Sequence, residues 1–147
     1  MPILLDPQMM RAIIMDHYEH PRNKRTPNDS RYRTMHIDSP NCIDDITVFL
    51  LEDDNTIIDC AFDGVACTIS TASTDIMTEL VIGKKASDAL YIIDQYQKMI
   101  REQPFDESVL DEAIVFVNTH RQAARIKCAT IGWDALEELL DYKHEEK

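Results

Sequence analysis

Cys42 and Asp44 stand two residues apart in a Ser-Pro-Asn-Cys-Ile-Asp-Asp stretch, and three further cysteines, Cys60, Cys67 and Cys128, follow. Cys67 and Cys128 each read as opening a helix, where unpaired backbone N–H groups favour a thiolate. Three thiolates and one carboxylate would satisfy a tetrahedral zinc ion, which accepts sulfur and oxygen ligands and supplies no redox chemistry of its own. The spacing is not the paired Cys-x-x-Cys of a zinc finger, and lone cysteines at such long range are more often buried structural thiols. Spacing alone leaves both readings open.

The elements that must position these groups follow from periodicity. Asp6-Pro7 reads as a helix cap and first helical residue, with Met10, Ile13, Ile14 and Tyr18 repeating behind it until His20-Pro21. Residues Arg22 to Arg33 form a basic, polar loop that reads as a solvated segment rather than a docking surface. Three strands are expected at Arg33 to Asp38, Ile46 to Leu51 and Thr56 to Phe62, with Asp53-Asp54-Asn55 turning the hairpin between the last two. In the third, Ile58, Cys60 and Phe62 alternate on one face, which makes Cys60 a core residue.

After Gly64 the period lengthens to that of a helix, with Ile69, Ala72, Ser73, Ile76, Met77, Leu80 and Val81 as one stripe and Gly83 as the closing residue. A further helix starts at Ser87-Asp88, turns Ala89, Ile92, Ile93, Tyr96 and Ile100 inward and ends near Pro104. Asp106 to His120 reads as a helix and turn, and a last helix runs from Cys128 to about Tyr142. The expected fold is α+β, a small three-stranded antiparallel sheet packed against several helices, in a single domain over residues 1–147.

Composition narrows the function. Hydrophobic residues make up 44% of 147, enough for one core, and the net charge of −12 opposes nucleic-acid binding. The N-terminus lacks a basic segment followed by a long apolar run, and Ala113 to Val117 is too short to cross a bilayer. These features imply no membrane partner and a cytoplasmic location, where cysteines serve as reduced thiols or metal ligands rather than disulfides.

Longer words carry a resemblance. Ile14-Met15-Asp16-His17-Tyr18 with Pro21-Arg22-Asn23, then Pro40 to Asp44, Ala66 to Ser70 and Arg125 to Thr130 resemble the IscU/NifU N-terminal family of iron–sulfur cluster assembly proteins, with the SufE/NifU-like fold. The resemblance implies that Cys42, Asp44, Cys67 and Cys128 are the metal ligands, and Cys60 has no counterpart among them. Lys127 stands where IscU-type scaffolds carry a ligating histidine, and the segment between Lys84 and Arg125 is similar to the insertion of the SufU-type branch. That branch implies bound Zn²⁺ and a sulfurtransferase role: Cys42 accepts persulfide sulfur from a SufS-like cysteine desulfurase, Arg125 and Lys127 offset charge and steer the persulfide, and Suf scaffold proteins are further partners. The alternatives are a direct scaffold holding iron or a [2Fe-2S] cluster, and a diverged protein-binding module.

Two departures from the family pattern bear on the site. Ile43 and Ala66 stand where the family has glycines, so the loop either takes an ordinary backbone here or is strained at these positions. Ile43 could also cover the metal. His17, although it lies in a family word, reads as a helix-face residue rather than a ligand. Among the remaining histidines, His20 looks like a helix end, and His36, His120 and His144 form no constellation.

Overall fold

The structure is a computed structural model that describes residues 6–38 and 43–145, with the side chains of 141–145 left out. Its order is α1 (Pro7–Glu19), β1 (Arg33–Asp38), β2 (Asp45–Asp53), β3 (Thr56–Val65), α2 (Thr68–Val81), α3 (Ala86–Ile100), three short 3-10 turns, and α4 (Ala123–Glu145). The strands make one antiparallel sheet in the order β1-β2-β3. The expected α+β arrangement is therefore the observed one.

Local chemistry explains most boundaries. Asp6 caps α1 by accepting from the Met9 N–H, Pro7 occupies the first turn, and the helix stops at His20. Asp54 and Asn55 take positive φ (51° and 62°), which gives the β2–β3 hairpin a turn whose twist matches its strands. Between Leu51 and Glu52 the register shifts, so that Leu51 faces Asp59 while Glu52 faces Ile57. This bulge corrects the expected alternation of β3: Ile57, Cys60 and Phe62 point inward, whereas Ile58 is 49% exposed.

The basic loop is not simply solvated. Phe62 accepts from the Arg25 N–H and donates to the Asn23 carbonyl, which lays residues 23–25 along β3. Arg25 pairs with Asp59, Lys24 with Asp63, and Arg33 with Glu52. These carboxylates of the sheet neutralise the segment's charge within the chain.

The core lies between the sheet and α2, α3 and α4, with Ile46, Val48 and Leu50 of β2 fully buried against it. α2 occupies the centre: ten of its fourteen residues are buried, polar ones included. α4 crosses it at Gly132, where an added Cβ would sit 2.4 Å from Thr74 Oγ1, so only glycine allows this approach. Beside the crossing, Tyr96 stacks on Trp133 with centroids 3.7 Å apart. Trp133 Nε1 donates to Ser73 Oγ at 2.9 Å, and the Ser73 and Tyr96 hydroxyls both donate to the Ala129 carbonyl, at 2.6 and 2.7 Å. This network fixes the backbone next to Cys128 relative to α2.

Candidate metal centre

Asp44 precedes the first residue of β2, and its 1% exposure puts a carboxylate in the interior. Nearby, Gly64 faces Ile46 with φ of +129°, and a Cβ there would meet the Asp45 carbonyl at 2.0 Å. The close approach of the two strands sets the level at which Asp44 leaves the sheet. Its Oδ1 accepts from the Cys67 N–H at 2.8 Å, and its Oδ2 accepts from the Ser70 hydroxyl at 2.5 Å.

Cys67 is the N-cap of α2, as its sequence position suggests, and its sulfur accepts from the Ser70 N–H at 3.4 Å. Cys128 differs from expectation. α4 begins at Ala123, a turn and a half earlier, so Cys128 lies inside the helix, away from the unpaired N–H groups of its start. Burial first, then the neighbouring Cys67 and Asp44, push the Cys128 thiol up to about 12. The helix-end argument for an acidified thiol therefore does not hold at Cys128.

Asp44, Cys67 and Cys128 nevertheless converge, with one ligand atom from each lying within 4.8 Å of the others. Zinc–sulfur bonds of about 2.3 Å in a tetrahedron separate two sulfurs by about 3.8 Å, so closure onto one ion requires contraction of about 1 Å at most. The donor set fits a dication for a second reason. Two thiols and a carboxylate packed together cannot all ionise without a counter-charge, and a bound divalent ion deprotonates its thiols outright.

Of the sequence candidates, Cys42 lies outside the described residues. Arg125 and Lys127 are exposed in the first turns of α4. Cys60 is fully buried in the core, where burial raises its pKa far above the ordinary thiol range, so it behaves as an inert packing residue. Neither Ile43 nor Ala66 is among the described residues with positive φ, so the departures from glycine meet an ordinary backbone. Ile43 is 65% exposed.

A second group of possible donors, His17, Asp75 and Glu79, lies on the α1–α2 contact. His17 is fully buried, with Nδ1 2.6 Å from Asp75 Oδ2 and Nε2 3.0 Å from Glu112 Oε1. Asp75 Oδ1 accepts from the N–H groups of Arg22 and Asn23 at 2.8 and 3.0 Å. Both ring nitrogens and both oxygens are engaged, which makes this an ion-pair clamp. The helix face expected for His17 is thus an interior one, with its ring fully buried.

Ser70 was missed. The signal available was the run Thr68-Ile-Ser-Thr-Ala-Ser-Thr-Asp75, unusually polar for a central helix.

A profile of the NifU-like N terminal domain matches residues 9–147. The chain belongs to the NifU-like N-terminal domain family. Within it, the chain is 37% identical over 130 residues to the zinc-dependent sulfurtransferase SufU of Bacillus subtilis, covering 88% of this chain and 87% of that one. It is 34% identical over 131 residues to the iron–sulfur cluster assembly scaffold protein IscU of Streptococcus pyogenes, covering 88% and 80%. Among solved structures, FiSufU of Fervidobacterium islandicum AW-1, a candidate iron–sulfur cluster assembly scaffold protein for the SUF system, superposes with a TM-score of 0.79 at 32% identity, covering 87% and 93%.

Proposed function

We propose that this NifU-like domain is a zinc-dependent sulfurtransferase of iron–sulfur cluster assembly that accepts persulfide sulfur from a cysteine desulfurase. The observation that carries the reading is the convergence of Asp44, Cys67 and Cys128, distant in sequence, within 4.8 Å. Cys42, two residues before Asp44, completes the ligand set and is the acceptor. Similarity to a relative named as zinc-dependent supports zinc over iron, as does Lys127, which offers no neutral nitrogen ligand beside Cys128.

Zinc, when bound, holds its thiols as thiolates and lowers their reactivity until a ligand is exchanged. In the transfer, the Cys42 thiolate attacks the outer sulfur of the desulfurase persulfide. The desulfurase S–S bond breaks, its cysteine leaves as a thiolate, and a persulfide remains on Cys42, with no net oxidation. The Cys67 N–H, donating to Asp44 Oδ1, holds these two residues together, and the exposed cations Arg125 and Lys127 attract the anionic persulfide. Elemental analysis of the purified chain is expected to give about one zinc per chain, and the zinc-loaded chain to stimulate a SufS-like desulfurase. Cys42→Ala is expected to keep the fold and lose the stimulation; retained stimulation would exclude transfer through Cys42.

The scaffold reading, named for the IscU relative, is separated by anaerobic reconstitution with iron and sulfide. A stoichiometric [2Fe-2S] chromophore would favour it, and a colourless protein favours zinc.

A further inference from the structure

Ser70 is fully buried and touches two members of the metal centre at once. Its hydroxyl donates to Asp44 Oδ2 at 2.5 Å, while its backbone N–H donates to Cys67 Sγ at 3.4 Å. The hydroxyl oxygen is itself 3.4 Å from that sulfur, close enough to accept from a protonated thiol. The Cys67 N–H closes the circuit on the other carboxylate oxygen. Nothing in the proposed sulfur chemistry requires a hydroxyl here, and the helix would form equally well with alanine.

We propose that Ser70 is a positioning residue of the metal centre, whose hydroxyl sets the Asp44 carboxylate against Cys67 in the arrangement that receives the ion. The inference rests on the metal-binding reading of Asp44, Cys67 and Cys128. Its physical basis is that a carboxylate attached to the chain through two rotatable bonds loses orientational freedom when it binds an ion. A hydrogen bond that fixes the orientation beforehand removes part of that cost. Each carboxylate oxygen has two lone pairs, so accepting from Ser70 does not by itself exhaust Oδ2, which also lies 4.0 Å from Cys67 Sγ. The N–H contact to Cys67 is a backbone contact and survives substitution, which isolates the hydroxyl.

The test is Ser70→Ala in the full chain, with zinc affinity measured by competition against a chromophoric chelator and the site probed by Co²⁺ absorption. Zinc affinity is expected to fall about 10- to 100-fold, the Co²⁺ ligand-field bands to weaken and shift, and Ser70→Thr to restore both partly. Far-UV circular dichroism of the zinc-free variant is expected to match wild type, which separates positioning from a failure to fold. A Ser70→Ala chain that binds zinc within about twofold of wild type with unchanged Co²⁺ bands would overturn the role of Ser70 alone. A wild-type chain that binds no zinc would overturn the metal reading, and the role of Ser70 with it.

Discussion

His17 and Asp75, 58 residues apart in sequence, meet in the interior with Nδ1 2.6 Å from Oδ2, and Glu112 takes the other ring nitrogen at 3.0 Å. One imidazole thus ties α1 to α2 and to the 3-10 turn Asp111–Phe116 that follows α3. Removing it leaves the Asp75 carboxylate buried without its cationic partner. His17→Ala is expected to cost about 3–5 kcal/mol in urea unfolding. A loss under about 1 kcal/mol would mean that the two backbone donors from Arg22 and Asn23 suffice for Asp75.

The same clamp makes stability depend on pH. Burial alone would lower the His17 pKa, but the hydrogen bonds to Asp75 and Glu112 outweigh it and hold the pKa above the ordinary 6.5. A raised folded-state pKa stabilises fully below the unfolded value, and the contribution is lost as pH rises through the folded value. The stability gap between wild type and His17→Gln is therefore expected to be widest below the ordinary 6.5 and to narrow as pH rises through the raised folded value. Denaturant titrations at several pH values measure it; a gap that stays constant would show that folding leaves the ring's pKa unshifted, and a gap that shrinks toward low pH would show that the ring is held neutral.

The α2–α4 crossing offers a packing test. A Cβ at Gly132 would lie 2.4 Å from Thr74 Oγ1 and 2.7 Å from Thr74 Cγ2, and the buried Thr74 hydroxyl has no hydrogen-bond partner among the described residues. Gly132→Ala is expected to cost about 1–3 kcal/mol by overpacking. Thr74→Ala removes both obstructing atoms, so the double variant is expected to recover most of that loss, with a coupling of about 1 kcal/mol or more. Strict additivity in thermal unfolding would place the strain elsewhere.

The sheet, its hairpin and the caps of α1 and α2 were legible because each is specified by neighbouring residues: Asp6-Pro7, Asp54-Asn55 and Cys67 act over a few positions. The start of α4 was not, because Ala123 to Lys127 carries no capping side chain and its first turns are exposed. Reading the helix from Cys128 then gave that thiol a dipole it lacks. Burial of His17 was invisible for a different reason, since its partners Asp75 and Glu112 are 58 and 95 residues away. Convergence of Asp44, Cys67 and Cys128 likewise depends on the helix crossing at Gly132. The types and spacing of the cysteines left it open against buried structural thiols, and the family resemblance is what favoured it.

Cys60 separates a core thiol from a ligand. It is fully buried among Ile57, Phe62 and their neighbours, and its raised pKa keeps the sulfur protonated. Cys60→Ala is expected to leave zinc stoichiometry unchanged while lowering stability by about 1 kcal/mol through lost packing. A fall in bound zinc, measured by elemental analysis, would bring Cys60 into the metal's reach and contradict its place in the core.

If Cys128 is a ligand as proposed, metal binding and folding are linked through it. Its thiol, pushed up to about 12 by burial, Cys67 and Asp44, must release a proton before it ligates. Protons therefore compete with the ion, and zinc affinity is expected to rise with pH between about pH 5 and pH 8. Zinc that binds only the folded chain adds about 2.7 kcal/mol of stability at a free concentration 100 times the dissociation constant. Cys128→Ser is expected to abolish both the zinc-dependent rise in Tm and its pH dependence, because a serine hydroxyl stays protonated. Melting curves with and without a chelator, for both chains, measure the effect. If Cys128→Ser kept the zinc-dependent rise, the ion would be held by other residues and the convergence at Cys128 would be packing alone.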